Sequence, residues 1–164
     1  MNTTIAAALD ELDKPLEAAD AYEALLSTEA ATLEDYLNLA ALYSESHDFG
    51  YMAHHGLSKE FVVRAGRRFS EVLAEAENRF GQHSEMSFWR RYHQYVHGGG
   101  EPFVDECRLL ARPEESLVPF LYLFVATDRQ LYRAEAERLF RAIRGGRSTR
   151  ERHIRSLLAP WFSA

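Results

Sequence analysis

Residues 36–43 of this 164-residue chain are Tyr-Leu-Asn-Leu-Ala-Ala-Leu-Tyr, with large apolar side chains at most positions. Its Tyr-x2-Leu-Ala-x2-Tyr spacing places two aromatic rings, a leucine and Ala40 on adjoining turns of a helix. A small residue such as Ala40 lets a neighbouring helix approach closely, and the rings fill the space on either side. A related set, Ala18, Tyr22 and Leu25, precedes it. The two sets predict two helices that pack against each other.

These spacings resemble the tetratricopeptide repeat (TPR), a helix-turn-helix unit of about 34 residues. The alanine–aromatic–apolar set recurs at Ala65, Phe69 and Val72. The resemblance implies an all-α fold of antiparallel helix-turn-helix repeats, stacked as a short TPR-like right-handed solenoid. We expect about eight to nine helices, including a C-terminal capping helix. We also expect a single domain over residues 1–164, with an irregular insertion at residues 44–60, where the repeat register breaks.

Local signals place several helix ends. Pro15 suits the first turn of the second helix, where a missing N–H costs nothing. Thr32 and Ser58 are predicted N-caps, and Gly81 is predicted to end a helix of about six turns that begins after Ser58. Within the insertion, the rings of Phe49 and Tyr51 are expected to dock on that long helix.

Composition indicates a globular protein, because 46% of residues are hydrophobic and 27% are charged. The lone Cys107 excludes an internal disulfide, and no basic region precedes an apolar run at the N-terminus. No run of about 18 apolar residues is present. The sequence therefore predicts a cytoplasmic protein without a signal peptide.

The net charge of −6 hides a gradient along the chain. Residues 1–48 hold eleven Asp and Glu against Lys14 alone, a net −10. Residues 129–155 hold nine Arg against three Glu, a net +6. Such asymmetry can mark a surface for an acidic partner or a nucleic acid, or it can reflect genome composition alone.

Motifs for catalysis or metal binding are sparse. There is no G-x-S-x-G, no P-loop and no Cys-x2-Cys. His93 and His97 have the spacing of two metal ligands on one helix, but a third ligand from His83 or the His54–His55 pair would depend on the fold. Solvated histidines explain this spacing more simply. We expect no enzymatic activity, no cofactor and no metal.

The repeat resemblance implies a function: the first helix of each pair lines a groove that holds a peptide or protein partner. Carried over by register, the groove positions are Glu34, Asn38, Glu45, Arg90, Arg91, Gln94, His97, Tyr122 and Arg129. Arg90 and Arg91 are the expected anchors, because guanidinium groups bind carboxylates bidentately. The prediction is a non-catalytic protein–protein interaction module: an adaptor, a chaperone or an immunity-type inhibitor.

Two alternatives stay open at this point. The first is a nucleic-acid or polyanion binder that uses the C-terminal arginines Arg129, Arg133, Arg141, Arg144, Arg147, Arg150 and Arg155. The second is a metal-dependent enzyme built on His93, His97 and the insertion histidines.

Overall fold

The computed structural model describes residues 4–163, which form ten α-helices and no strand. The helices are α1 Ile5–Glu11, α2 Pro15–Leu26, α3 Leu33–Glu45, α4 Phe49–His55, α5 Lys59–Phe80, α6 Ser84–His97, α7 Val104–Leu110, α8 Pro119–Ala126, α9 Arg133–Ile143 and α10 Thr149–Phe162. The all-α prediction is confirmed, but the described residues form ten helices and not the eight to nine expected, because a short helix, α4, lies in the expected insertion. None of the described helices combines the length and apolarity that a membrane crossing requires.

The chain divides into two compact units. The first unit contains the described residues up to Gly81 together with Arg147–Arg150. The second contains Gln82–Gly146 and the described residues from Glu151 onward. The first two residues of α10 therefore belong to the first unit, and the rest of that helix belongs to the second.

Helix α3 is the centre of the first unit. Every residue from Asp35 to Ser44 is buried, because α2 and α5 both pack against this helix. Leu39 and Ala40 are fully buried, and Ala65 and Leu73 of α5 are equally inaccessible. The stretch 36–43 thus occupies the core position that its spacing predicts.

The predicted helix ends agree with the structure at four places. Pro15 is the first residue of α2. Thr32 caps α3, where its side chain accepts the Asp35 N–H and the Asp35 carboxylate accepts the Thr32 N–H, a reciprocal capping box. Ser58 caps α5 by accepting the Phe61 N–H, and α5 ends before Gly81, whose φ of 81° favours glycine.

The expected irregular insertion at residues 44–60 contains a short helix, α4, so that prediction needs correction. Asp48 starts α4 by accepting the Tyr51 N–H, and Gly56 ends it in the left-handed conformation at φ 61°. The expected docking of Phe49 is wrong, because its side chain is 79% exposed. Tyr51, the other ring expected to dock, is half-buried, and Leu57 is buried at 7% exposure.

The second unit is built around aromatic side chains. Helix α8 contacts α6, α7 and α9, which explains why its sequence is apolar nearly all round. Phe88 and Trp89 of α6 and Phe124 of α8 are almost fully buried. The Trp89 indole donates to the buried Glu85 carboxylate at 3.1 Å. An aromatic core with its polar edges paired therefore holds this unit together.

Candidate partner-binding site

A groove of about 370 Å³ lies between α1 and α2. It is lined by Thr4, Ile5, Ala6, Ala21, Ala24 and Leu25. The alanines keep the floor low, while the larger side chains of Ile5 and Leu25 form the walls. Ile5 is 78% exposed, so one wall lies open to solvent. This volume falls within the usual range of binding pockets, about 300–1,000 Å³. We refer to this feature as the α1–α2 groove.

More apolar surface is exposed on the same two helices. Leu12, at the end of α1, is 65% exposed. Leu16, in the first turn of α2, is 42% exposed. Single exposed apolar residues are common, but three on one helix pair, Ile5, Leu12 and Leu16, are typical of an interaction surface.

Exposed carboxylates are also present on α1 and α2. Glu11, Glu17 and Asp20 are exposed, whereas Lys14 is the one basic residue between residues 4 and 26. Asp20 lies 3.9 Å from Arg64, a distant pair with both side chains more than half exposed. The helix pair therefore has a negative electrostatic potential.

The other side of the helix pair is fixed by the buried Asp10. Its Oδ1 accepts the Thr149 N–H at 2.9 Å and the Thr149 hydroxyl at 2.6 Å. Its Oδ2 accepts the Tyr22 hydroxyl at 3.3 Å. Burial and the neighbouring Asp10 carboxylate both raise the pKa of Tyr22. This network ties α1 to α2 and to the start of α10, so the groove lies on a rigid support.

A second polar network joins α2, α3 and α5. The Arg68 guanidinium donates twice to the Glu23 carboxylate, at 2.9 Å each, and Tyr43 donates to Glu23 at 2.7 Å. Burial alone would raise the pKa of Glu23, but hydrogen bonds from Arg68 and Tyr43 outweigh it and hold the pKa below its ordinary value. All the groups are engaged with one another, so this cluster is a structural link.

The three sequence-predicted groove residues of the first unit differ in accessibility. Glu34 is exposed and pairs with Arg150. Asn38 is only 6% exposed, so its amide faces the interior. Glu45 is half-buried near the end of α3. The structure does not present these three side chains as one open surface.

The sequence-predicted groove residues on α6 and α8 belong to the second unit, and several of them contact other side chains there. Arg91 pairs with Glu106 at 2.7 Å, donates to Gln94 at 2.9 Å and lies over the Phe103 ring. Phe103 in turn stacks on Tyr122, whose oxygen accepts the Phe103 N–H. Tyr122 is thus buried beneath Arg91. Arg90 and His97 are half-buried, and the His97 ring contacts His93.

Most C-terminal arginines contact their own unit. Arg129 lies 4.0 Å above the Trp161 ring, and Arg133 lies over Phe162. Arg155 donates to the Gly146 carbonyl at 2.6 Å, and Arg141 pairs with Glu137 at the same distance. These contacts give the arginines roles in packing, and they weaken the case for a polyanion surface.

The predicted histidine pair lies on α6 as expected. The rings of His93 and His97 are 5.2 Å apart, yet no third ligand joins them within the described residues. The one three-ligand group found there consists of Asp13, His54 and His55. Residue spacing cannot reveal that group, because Asp13 and the histidines are far apart in sequence.

Cys107 should be inert toward thiol reagents in the folded protein. It is fully buried, its thiol donates to the Pro119 carbonyl, and burial raises its pKa to about 12. The thiolate that reacts is therefore scarce and shielded at neutral pH. A disulfide reagent at pH 8 should give no signal from native protein and one thiol per chain in denaturant. Rapid labelling of the native protein would contradict this.

A larger opening of about 520 Å³ lies on the first turns of α5. Its lining residues are Lys59, Glu60, Val63, Arg64 and Arg67. All five belong to one helix and four are charged, so this opening is a depression between exposed side chains. The smaller α1–α2 groove is the better candidate, because two elements form it and its lining is apolar.

Comparisons of this chain with protein-family models, with curated proteins and with solved structures find no match.

Proposed function

We propose that this protein is a non-catalytic interaction module whose α1–α2 groove binds a basic amphipathic helix of a partner protein. The observation that carries the proposal is the groove itself: apolar, open to solvent and formed by two packed helices. An amphipathic helix fits such a site by inserting apolar side chains spaced at i, i+3, i+4 and i+7.

The charges on α1 and α2 indicate which kind of partner helix binds. The exposed Glu11, Glu17 and Asp20 on the same helix pair favour lysines and arginines along the edges of the partner helix. They disfavour an acidic partner for the same reason. Apolar anchors in the groove and basic residues at the rim together define the proposed ligand.

The TPR-like solenoid stays part of this proposal. Its support is the packing of α1 on α2 and of α3 on α5 within the first unit, together with the spacing at residues 36–43. A module of this kind acts as an adaptor, a chaperone or an immunity-type inhibitor, the three roles that the sequence predicts.

A designed peptide tests the proposal. The probe is a fluorescent helix of about five turns, with leucines at i, i+3, i+4 and i+7 and lysines elsewhere. We expect fluorescence anisotropy to show saturable binding. Ile5→Glu should weaken it by about 10- to 100-fold, because burial of one isoleucine contributes about 1.5–3 kcal/mol.

Two controls make the result specific. Leu109→Glu, in α7, changes a leucine that is as exposed as Ile5, at 78%, and should leave the affinity unchanged. The same peptide with glutamates in place of lysines should not bind. Absence of binding by the basic peptide, or equal weakening by Leu109→Glu, would exclude the groove.

A further inference from the structure

A carboxylate and two imidazoles from different elements converge in the first unit. Asp13 lies between α1 and α2, and His54 and His55 are the last residues of α4. One potential ligand atom from each lies within 4.8 Å of the other two. The His55 Nε2 and the Asp13 Oδ1 are 3.4 Å apart. Two ligands of one tetrahedral zinc ion have about this separation, since each lies about 2.0–2.2 Å from the metal.

Asp13 and the two histidines lie at the C-terminal ends of α1 and α4, and each of these ends is closed by backbone hydrogen bonds. After α1, the Lys14 N–H bonds to the Leu9 carbonyl at 3.1 Å, and the Asp13 N–H bonds to the Asp10 carbonyl at 2.9 Å. This is a Schellman motif, in which the residue at the Asp13 position adopts positive φ. After α4, the Leu57 N–H bonds to the Met52 carbonyl at 3.0 Å, which forms a second such motif at Gly56.

The residue at the first of these turns is unusual. Asp13 has φ 59°, and it is the one residue other than glycine with positive φ among the described residues. Glycine would adopt this conformation without strain, as Gly56 does at the end of α4. An aspartate held there places a carboxylate at the turn, and strained residues of this kind are concentrated at functional sites.

Neighbouring side chains orient the histidines. The His55 side chain is only 10% exposed, and its ring lies against Tyr51 with centroids 4.4 Å apart. The His54 ring meets His55 edge-on at 4.7 Å. The Asp13 side chain is 44% exposed, so an ion can reach the cluster from solvent.

We propose that Asp13, His54 and His55 bind one divalent transition-metal ion. Imidazole and carboxylate ligands suit zinc and its neighbours in the first transition row. Three protein ligands leave a fourth position for water. The ion would link α4 to the α1–α2 turn. This inference does not depend on peptide binding in the α1–α2 groove.

The test is a zinc titration of protein purified without a histidine tag, in competition with a chromophoric chelator at pH 7.5. We expect one zinc per chain, and cobalt should give visible absorption typical of a tetrahedral site. Loss of one ligand in His54→Ala, His55→Ala or Asp13→Asn should weaken binding by at least about 100-fold, since loss of even an outer-shell partner costs about 10- to 100-fold. Asparagine tolerates positive φ, so Asp13→Asn removes the charge without a new backbone strain.

The double variant His93→Ala, His97→Ala is the matched control, because it removes two histidines from the chain's other close pair. It should bind zinc as the wild type does. Failure of wild-type protein to bind zinc at a 1:1 ratio would overturn the proposal. The proposal would also be overturned if the three ligand variants bound zinc with affinities within about threefold of the wild type. Removal of a ligand should cause a much larger loss of affinity.

Discussion

Asp10→Ala should lower the free energy of unfolding by about 3–5 kcal/mol. The Asp10 carboxylate, 1% exposed, accepts three hydrogen bonds from Thr149 and Tyr22. Without it, these buried donors lose their acceptor, and each such loss costs about 1–3 kcal/mol. The costs share one network, so they do not simply add.

Urea titration followed by far-ultraviolet circular dichroism measures this change. Glu17→Ala is the control, because it removes an exposed carboxylate from α2 and should change stability by less than about 0.5 kcal/mol. Asp10→Asn keeps one acceptor oxygen, so its loss of stability should lie between those of Asp10→Ala and Glu17→Ala. A loss below about 1 kcal/mol in Asp10→Ala would show that the network does not support the helix pair.

Alkaline pH should destabilise the first unit through two buried tyrosines. Burial, followed by the nearby carboxylates Asp10 and Glu23, raises the pKa of Tyr22 and of Tyr43 from the ordinary value of 10.0. Both side chains stay protonated in the folded protein at pH values where the unfolded chain releases the proton. The unfolded state then binds fewer protons, so stability falls as pH rises above 10.

The free energy of unfolding should fall steeply with pH above pH 10. Each tyrosine contributes about 1.4 kcal/mol per pH unit, so the pair contributes about 2.7 kcal/mol per unit above pH 10. Urea titrations between pH 8 and pH 11.5 measure it. Tyr22→Phe and Tyr43→Phe should each lower the slope by about 1.4 kcal/mol per pH unit, relative to their own stability at pH 8. The buried Cys107 thiol, whose pKa is also raised, should contribute to the slope in both variants. A slope that neither substitution changes would assign the alkaline loss to other groups.

The helices could be predicted from sequence because their signals are local. Pro15, Thr32, Ser58 and Gly81 act within one turn of their own helix, and the structure has each at the predicted end. Residues 49–55 were harder, because a glycine and two histidines are weak helix formers. The Asp48 cap and the left-handed Gly56 are enough to hold a short helix there.

The candidate sites could not be predicted in the same way. Repeat register places Tyr122 in a groove, whereas the structure buries its side chain. Repeat register predicts the helix face on which a residue lies. It does not predict which neighbouring helix covers that face. The pairing of Arg91 with Glu106 and the approach of Asp13 to His55 depend on tertiary packing. The local signal that could have indicated the α1–α2 groove is the set of apolar residues Ile5, Ala6, Leu9 and Leu12 in the first helix.

The most direct test of the central claim is a two-dimensional ¹H–¹⁵N spectrum of the protein, recorded during titration with the basic amphipathic peptide. Binding in the α1–α2 groove predicts chemical-shift changes concentrated at its lining residues, chiefly Ile5, Ala6, Ala21, Ala24 and Leu25. The Ile5→Glu variant should lose these changes. Shift changes confined to residues 82–146, with the signals of α1 and α2 unmoved, would contradict the account.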